Sequence, residues 1–114
     1  MKELIASEER LVDEELERAT RGFGALHNSP HEAFAVILEE NVEARANIEA
    51  VDANLREFWI GVMRDDDDIM EAALETIERE AVLAACELIQ VSAMAKKARK
   101  GYARREKTDE PDKD

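Results

Sequence analysis

The sequence predicts an all-α protein: three helices per chain, with long antiparallel helices forming a four-helix-bundle core through oligomerisation. Gly (4) and Pro (2) are scarce in 114 residues, and aromatic residues make up 4%. Little is left of the turn and β-forming chemistry that a sandwich or barrel needs. Charged residues make up 39%, against about 25% in an ordinary globular domain, and Ala, Glu, Leu, Arg and Lys dominate, the composition of long helices. Apolar residues also recur at spacings of three and four. The helices are expected within one domain, residues 1–102, followed by a charged, disordered tail over 103–114.

The first helix is predicted from about Lys2 to Arg21, on the period of Leu4, Ile5, Leu11, Val12, Leu16, Ala19 and Phe23, with Gly22 and Gly24 to end it. The second has a strong start. Ser29 is an N-cap, Pro30 suits the first helical position, and Glu32 completes a Ser-x-x-Glu capping box. Its stripe is Phe34, Ile37, Asn41, Ala44, Ile48, Val51, Leu55, Phe58 and Val62, which reads as a bundle seam running to about Arg64 and loosened at Gly61. Asp65 to Asp68 then form a run of four carboxylates. No EF-hand spacing follows them, and carboxylates suit the start of a helix, so they are expected to cap the third one.

That third helix is predicted from about Ile69 to Lys100 or slightly beyond. Met70, Leu74 and Ile77 mark one face of its first half. Its second half, Ala81 to Ala95, has only Glu87, Gln90 and Ser92 as polar residues. A helix apolar on every side is surrounded by protein, with Cys86 and Met94 as core residues. Helices two and three would each be roughly 45–50 Å long, whereas a compact domain of this chain length has a radius of gyration near 13 Å. An obligate homodimer or homotetramer follows as the expectation.

Charge narrows the partners. The net charge is −12; residues 1–95 carry −15 and residues 96–114 carry +3. An acidic body disfavours nucleic acid and anionic membrane surfaces. No stretch approaches the roughly 18 apolar residues of a membrane span. A single cysteine, Cys86, and no apolar leader point to the cytoplasm. The absence of Glu-x-x-His argues against a di-iron bundle for His27 and His31. Phe58 and Trp59 are expected in packing contacts rather than stacked on a base.

The chemistry is concentrated in carboxylates. Glu40 and Glu43 are one helical turn apart, beside the apolar seam. Glu87 and Gln90 repeat that spacing on the apolar part of the third helix, where an unpaired carboxylate is costly. If the helices pack antiparallel, the two pairs can meet and offer three carboxylates and an amide oxygen, a hard-oxygen set suited to magnesium, or to manganese in its place. Solvated Glu-rich faces are common, so spacing alone leaves both readings open.

Asn28-Ser29-Pro30-His31-Glu32-Ala33, Glu39-Glu40-x-x-Glu43 and Glu87-Leu-Ile-Gln90-Val-Ser-Ala-Met-Ala95 together resemble the small MazG-like members of the all-α nucleotide pyrophosphohydrolases. The resemblance spans about residues 27–97. It implies an oligomeric, magnesium-dependent enzyme that hydrolyses nucleoside triphosphates to monophosphates and pyrophosphate. It also implies Glu40, Glu43 and Glu87 as metal ligands and Glu39 as a water-orienting base. Gln90 stands where the family signature has Asp, which keeps an oxygen donor but removes a charge. The basic run Lys96, Lys97, Arg99 and Lys100 either clamps phosphates or simply suits a helix C-terminus. The other reading of the whole chain is a non-catalytic helical oligomer serving as a binding or adaptor module.

Overall fold

The computed structural model describes residues 1–24 and 27–109, and the side chains of all of these except Phe23 and 103–109. Ala25 and Leu26 of the expected loop, and 110–114 of the expected tail, lie outside the described residues. The described chain is all helix and short connections: α1 (Lys2–Phe23), α2 (Pro30–Arg64) and α3 (Asp67–Asp109). α3 runs through Gly101 to Asp109, several residues beyond the expected end at or just after Lys100.

The helix ends follow local chemistry. Gly24 closes α1 with φ 88°, a left-handed value that glycine takes without a Cβ clash, and its N–H donates to Thr20 O at 2.9 Å. Ser29 Oγ accepts from Glu32 N at 3.1 Å, the expected half of the capping box. The return half differs: Glu32 Oε2 accepts from Asn28 N at 3.2 Å, one residue before the cap.

Contacts divide the chain into two units, Met1–Glu39 with Ile89–Asp114, and Glu40–Leu88. In the first, Leu16 of α1, Ala33 of α2 and Ala93 of α3 are buried. Lys96 Nζ pairs with Asp13 across α3 and α1. His27 Nε2 lies 3.5 Å from Met94 O, a long contact that binds the start of α2 to α3. Leu4, Ile5 and Leu11 of the α1 stripe are exposed, so only its later turns are packed.

The second unit is an αα-hairpin. Asp65 N donates to Val62 O at 3.2 Å and Asp66 N to Gly61 O at 2.9 Å, with Asp65 at φ 51°. This is a Schellman closure in which Asp takes the left-handed position usually held by Gly. Asp66 Oδ1 then accepts from Asp68 N at 3.0 Å and Ile69 N at 3.2 Å, capping α3 as the Asp run predicts. Two residues thus reverse the chain. Gly61 is buried in a continuous helix that shows no loosening there. Its role is close approach: a Cβ would meet Met70 Cγ at 2.7 Å, Met70 N at 3.0 Å and Ile69 Cγ2 at 3.1 Å.

The predicted α2 seam is rotated. Ala44, Val51 and Phe58 face inward, but Ile48, Leu55 and Val62 are exposed. The inward positions between them belong to Glu40, Asn47, Asn54 and Gly61. Asn54 settles its amide on Ala50 O at 2.8 Å. Nor is the apolar half of α3 covered within one chain: Val82, Leu83 and Cys86 are exposed, where the sequence predicts a core.

Gly61→Ala is expected to lower the thermal midpoint, because overpacking against Met70 costs about 1–3 kcal/mol and outweighs a helix-propensity gain of about 1 kcal/mol. Gly22→Ala, with nothing within 4 Å of its Cβ, is expected to raise it. Thermal melts followed by circular dichroism check the two opposite signs.

Candidate functional site

The candidate site lies within the hairpin unit. One turn separates Glu40 from Glu43 on α2, so the helix itself puts them side by side. α3 returns antiparallel with Ala73, Ile77, Glu80, Ala84 and Glu87 turned inward. Gly61 against Met70, near the turn, sets a register in which Glu87 arrives opposite Glu40 and Glu43. One carboxylate oxygen from each of the three lies within 4.8 Å of the other two. Glu40 and Glu87 are half-buried and Glu43 is exposed. Oε2 of Glu40 and Oε2 of Glu87 are shut off from solvent, and that oxygen of Glu87 has no hydrogen-bond partner among the described residues.

Two carboxylates this close repel by roughly 3 kcal/mol at an effective dielectric near 20, and by less where one is exposed, as Glu43 is. A cation between them turns that repulsion into attraction. The donor set fits a hard divalent ion. Magnesium holds oxygens at 2.0–2.1 Å, so two ligands on one ion are at most about 4.2 Å apart. A spread of 4.8 Å is therefore within a small rotamer adjustment of that need. A buried carboxylate oxygen without a donor is the kind of atom that a metal satisfies.

The other expected site residues are placed less tightly. Glu39 is exposed on α2 and Gln90 is half-buried on α3, and both belong to the first unit. The basic run splits into three situations. Lys96 is engaged by Asp13, Arg99 and Lys100 are exposed, and Lys97 is buried. Sequence reasoning grouped these four as helix-end cations and missed that distinction. The signal was present, since Lys97 sits four residues after Ala93, on the inward face of α3. Phe58 is half-buried and Trp59 is exposed. No helix among the described residues is long and apolar enough to cross a membrane.

No family model matches this chain, and no curated protein or solved structure matches it either.

Glu87→Gln removes one charge from the triplet and leaves the side chain's volume unchanged. In chelator, the variant is expected to melt a few degrees above the parent. A lower midpoint in differential scanning calorimetry would show that the Glu87 charge is stabilising without any metal.

Proposed function

We propose that this chain is a magnesium-dependent nucleoside triphosphate pyrophosphohydrolase of the MazG-like kind, acting as a homo-oligomer. The observation that carries the proposal is the gathering of Glu40, Glu43 and Glu87, with the solvent-shielded Glu87 Oε2 among them. These are the three residues that the resemblance implies as ligands. They would hold the ion through one oxygen each, and when bound it would polarise the phosphates and offset the charge of departing pyrophosphate. The half-buried Glu40 and Glu87 fix the donor positions, because their backbones lie on opposed seams of one hairpin. Exposed Glu43 keeps the open side of the triplet reachable by a substrate from solvent. The roles of Glu39 as base and Gln90 as amide ligand are supported by the resemblance alone.

Oligomerisation is supported by what the hairpin leaves uncovered. Two helices shield only the seam between them. Trp59 is 59% exposed and Val82 is 60% exposed, and Ile48, Leu55 and Leu83 are also open to solvent. An apolar surface of this kind on a small unit is what a subunit interface requires. A second copy presenting the same faces would complete a four-helix bundle.

A second reading, a binding or adaptor module that kept the site's outline, is favoured by Gln90. One charge fewer than the family signature weakens both metal binding and turnover.

The deciding experiment is pyrophosphate release from a panel of ribo- and deoxynucleoside triphosphates with magnesium or manganese. Metal-dependent release is expected, and Glu40→Gln and Glu43→Gln should each lower it by about a hundredfold or more while helicity is kept. A blank from folded parent protein would overturn the hydrolase and leave the binding module. Separately, sedimentation at micromolar concentration should show a dimer or tetramer that Trp59→Asp or Val82→Asp weakens; a parent that sediments as a monomer would overturn the oligomer.

A further inference from the structure

The inward seam of the hairpin unit carries a second polar level. Seven residues of helix are close to two full turns and rise roughly 10 Å. A step of that size toward the Asp65–Asp66 turn leads from Glu40 to Asn47 on α2 and from Glu87 to Glu80 on α3. All four residues are half-buried on the inward seams. The register that sets Glu87 opposite Glu40 therefore also sets Glu80 opposite Asn47. Ala44, 1% exposed, and Ala84, 6% exposed, separate the two levels with small side chains. Leu83 lies one turn from both Glu80 and Glu87 and remains exposed.

Neither group of this second level is settled inside the protein. The Asn47 amide makes no hydrogen bond with any described residue, whereas Asn54, two turns further on, donates to Ala50 O. The Glu80 side chain is 19% exposed, and its ion-pair partner is Arg79 at 3.8 Å, whose own side chain is 64% exposed. A contact of that length to a solvated guanidinium is worth little. Half-buried polar groups ordinarily have partners, and neither of these is wholly shut off from solvent. Glu80 also stands apart from the three carboxylates that gather for a cation. The charge of Glu80 repels a phosphate. What the level offers is a pair of carboxylate acceptors and an amide, which suits a neutral ligand rich in N–H donors.

We infer that Asn47 and Glu80 read the base of the nucleotide whose phosphates the carboxylate triplet serves, and that the base they select is guanine. This rests on the proposed hydrolase reading of the triplet. The separation of the two levels matches the reach from the phosphates of a nucleoside triphosphate to its base. Guanine presents two adjacent donors, N1–H and the 2-amino group, which a carboxylate takes as a bidentate pair. Its O6 beside them accepts from the Asn47 amide. Adenine and cytosine set a ring acceptor next to their amino group, and uracil flanks its one N–H with carbonyls, so each would turn a lone pair toward Glu80. Exposed Leu83, between the levels, gives the ring an apolar surface to lie on.

The test is steady-state pyrophosphate release, with magnesium, from the triphosphates of guanosine, inosine, adenosine and uridine. Inosine is guanosine without the 2-amino group. The parent is expected to show a kcat/KM for guanosine triphosphate at least about tenfold above each of the others, because a site built to hydrogen-bond a donor rejects the analogue that lacks it. Glu80→Gln keeps the side chain's volume and should bring guanosine and inosine triphosphates within about twofold of each other, through KM rather than kcat. Asn47→Ala should narrow the same preference, and it keeps the test valid if Glu80→Gln fails to fold. Glu78→Gln, on the exposed face of α3, should leave the preference as in the parent. Release without preference for guanosine over inosine triphosphate, or the parent's preference kept by folded Glu80→Gln and Asn47→Ala, would overturn the inference and leave the hydrolase standing. A blank from folded parent with every triphosphate would instead overturn the hydrolase reading, and the inference with it.

Discussion

The structure of the hairpin unit depends on a two-residue turn. Asp65 and Asp66 close α2 and open α3 with no spare chain between them. The turn works because one residue accepts a left-handed backbone and the next supplies a capping carboxylate. With the connection so short, the two helices can only run antiparallel, and residues equally far from the turn must face each other. Gly61 meets Met70 four residues out on either side, and Glu43 meets Glu87 some twenty residues further along. Each residue added to the turn would rotate α3 by roughly 100° relative to that register. The carboxylate triplet is therefore a consequence of the turn as much as of the three glutamates.

The inward seam is unusual in what it carries. Glu40, Asn47 and Asn54 alternate with Ala44, Val51 and Phe58, while the apolar Ile48, Leu55 and Val62 are turned out. Small residues such as Ala44, Gly61, Ala73 and Ala84 line the interior and let the two helices approach closely. Burial there is modest, because alanine and glycine remove little apolar area from water. The larger apolar side chains Ile48, Leu55 and Val62 remain exposed. Polar groups thus occupy the seam within the hairpin, and its larger apolar side chains lie on the outer flanks.

Much of the fold was legible beforehand for local reasons. The Ser29–Glu32 cap, the stop at Gly24 and the Asp run that starts α3 are short-range hydrogen-bonding devices, and sequence states them directly. The partners were less so. Glu32 turns to Asn28 N instead of the cap's own N–H, and Gly61 is there for contact with Met70, not for flexibility. For the site, Glu40 and Glu43 follow from spacing on one helix, and Glu87 follows from being a carboxylate in an apolar stretch. Within the basic run, the different situations of Lys96 and Lys97 were hidden, because adjacent residues on a helix point about 100° apart.

The sequence by itself determined the helices, their caps and the side-chain types that can chelate a cation, since each of these depends on residues no more than about four positions apart. Tertiary structure alone decided which face of α2 is turned inward. That helix is apolar on two flanks, so periodicity admits either choice, and only the packing of α3 across the Asp65–Asp66 turn selects the flank that carries Glu40. It also decided that Lys97 is enclosed while Arg99 and Lys100 stay in water. Burial is a property of neighbours brought from distant parts of the chain, and no local pattern contains them.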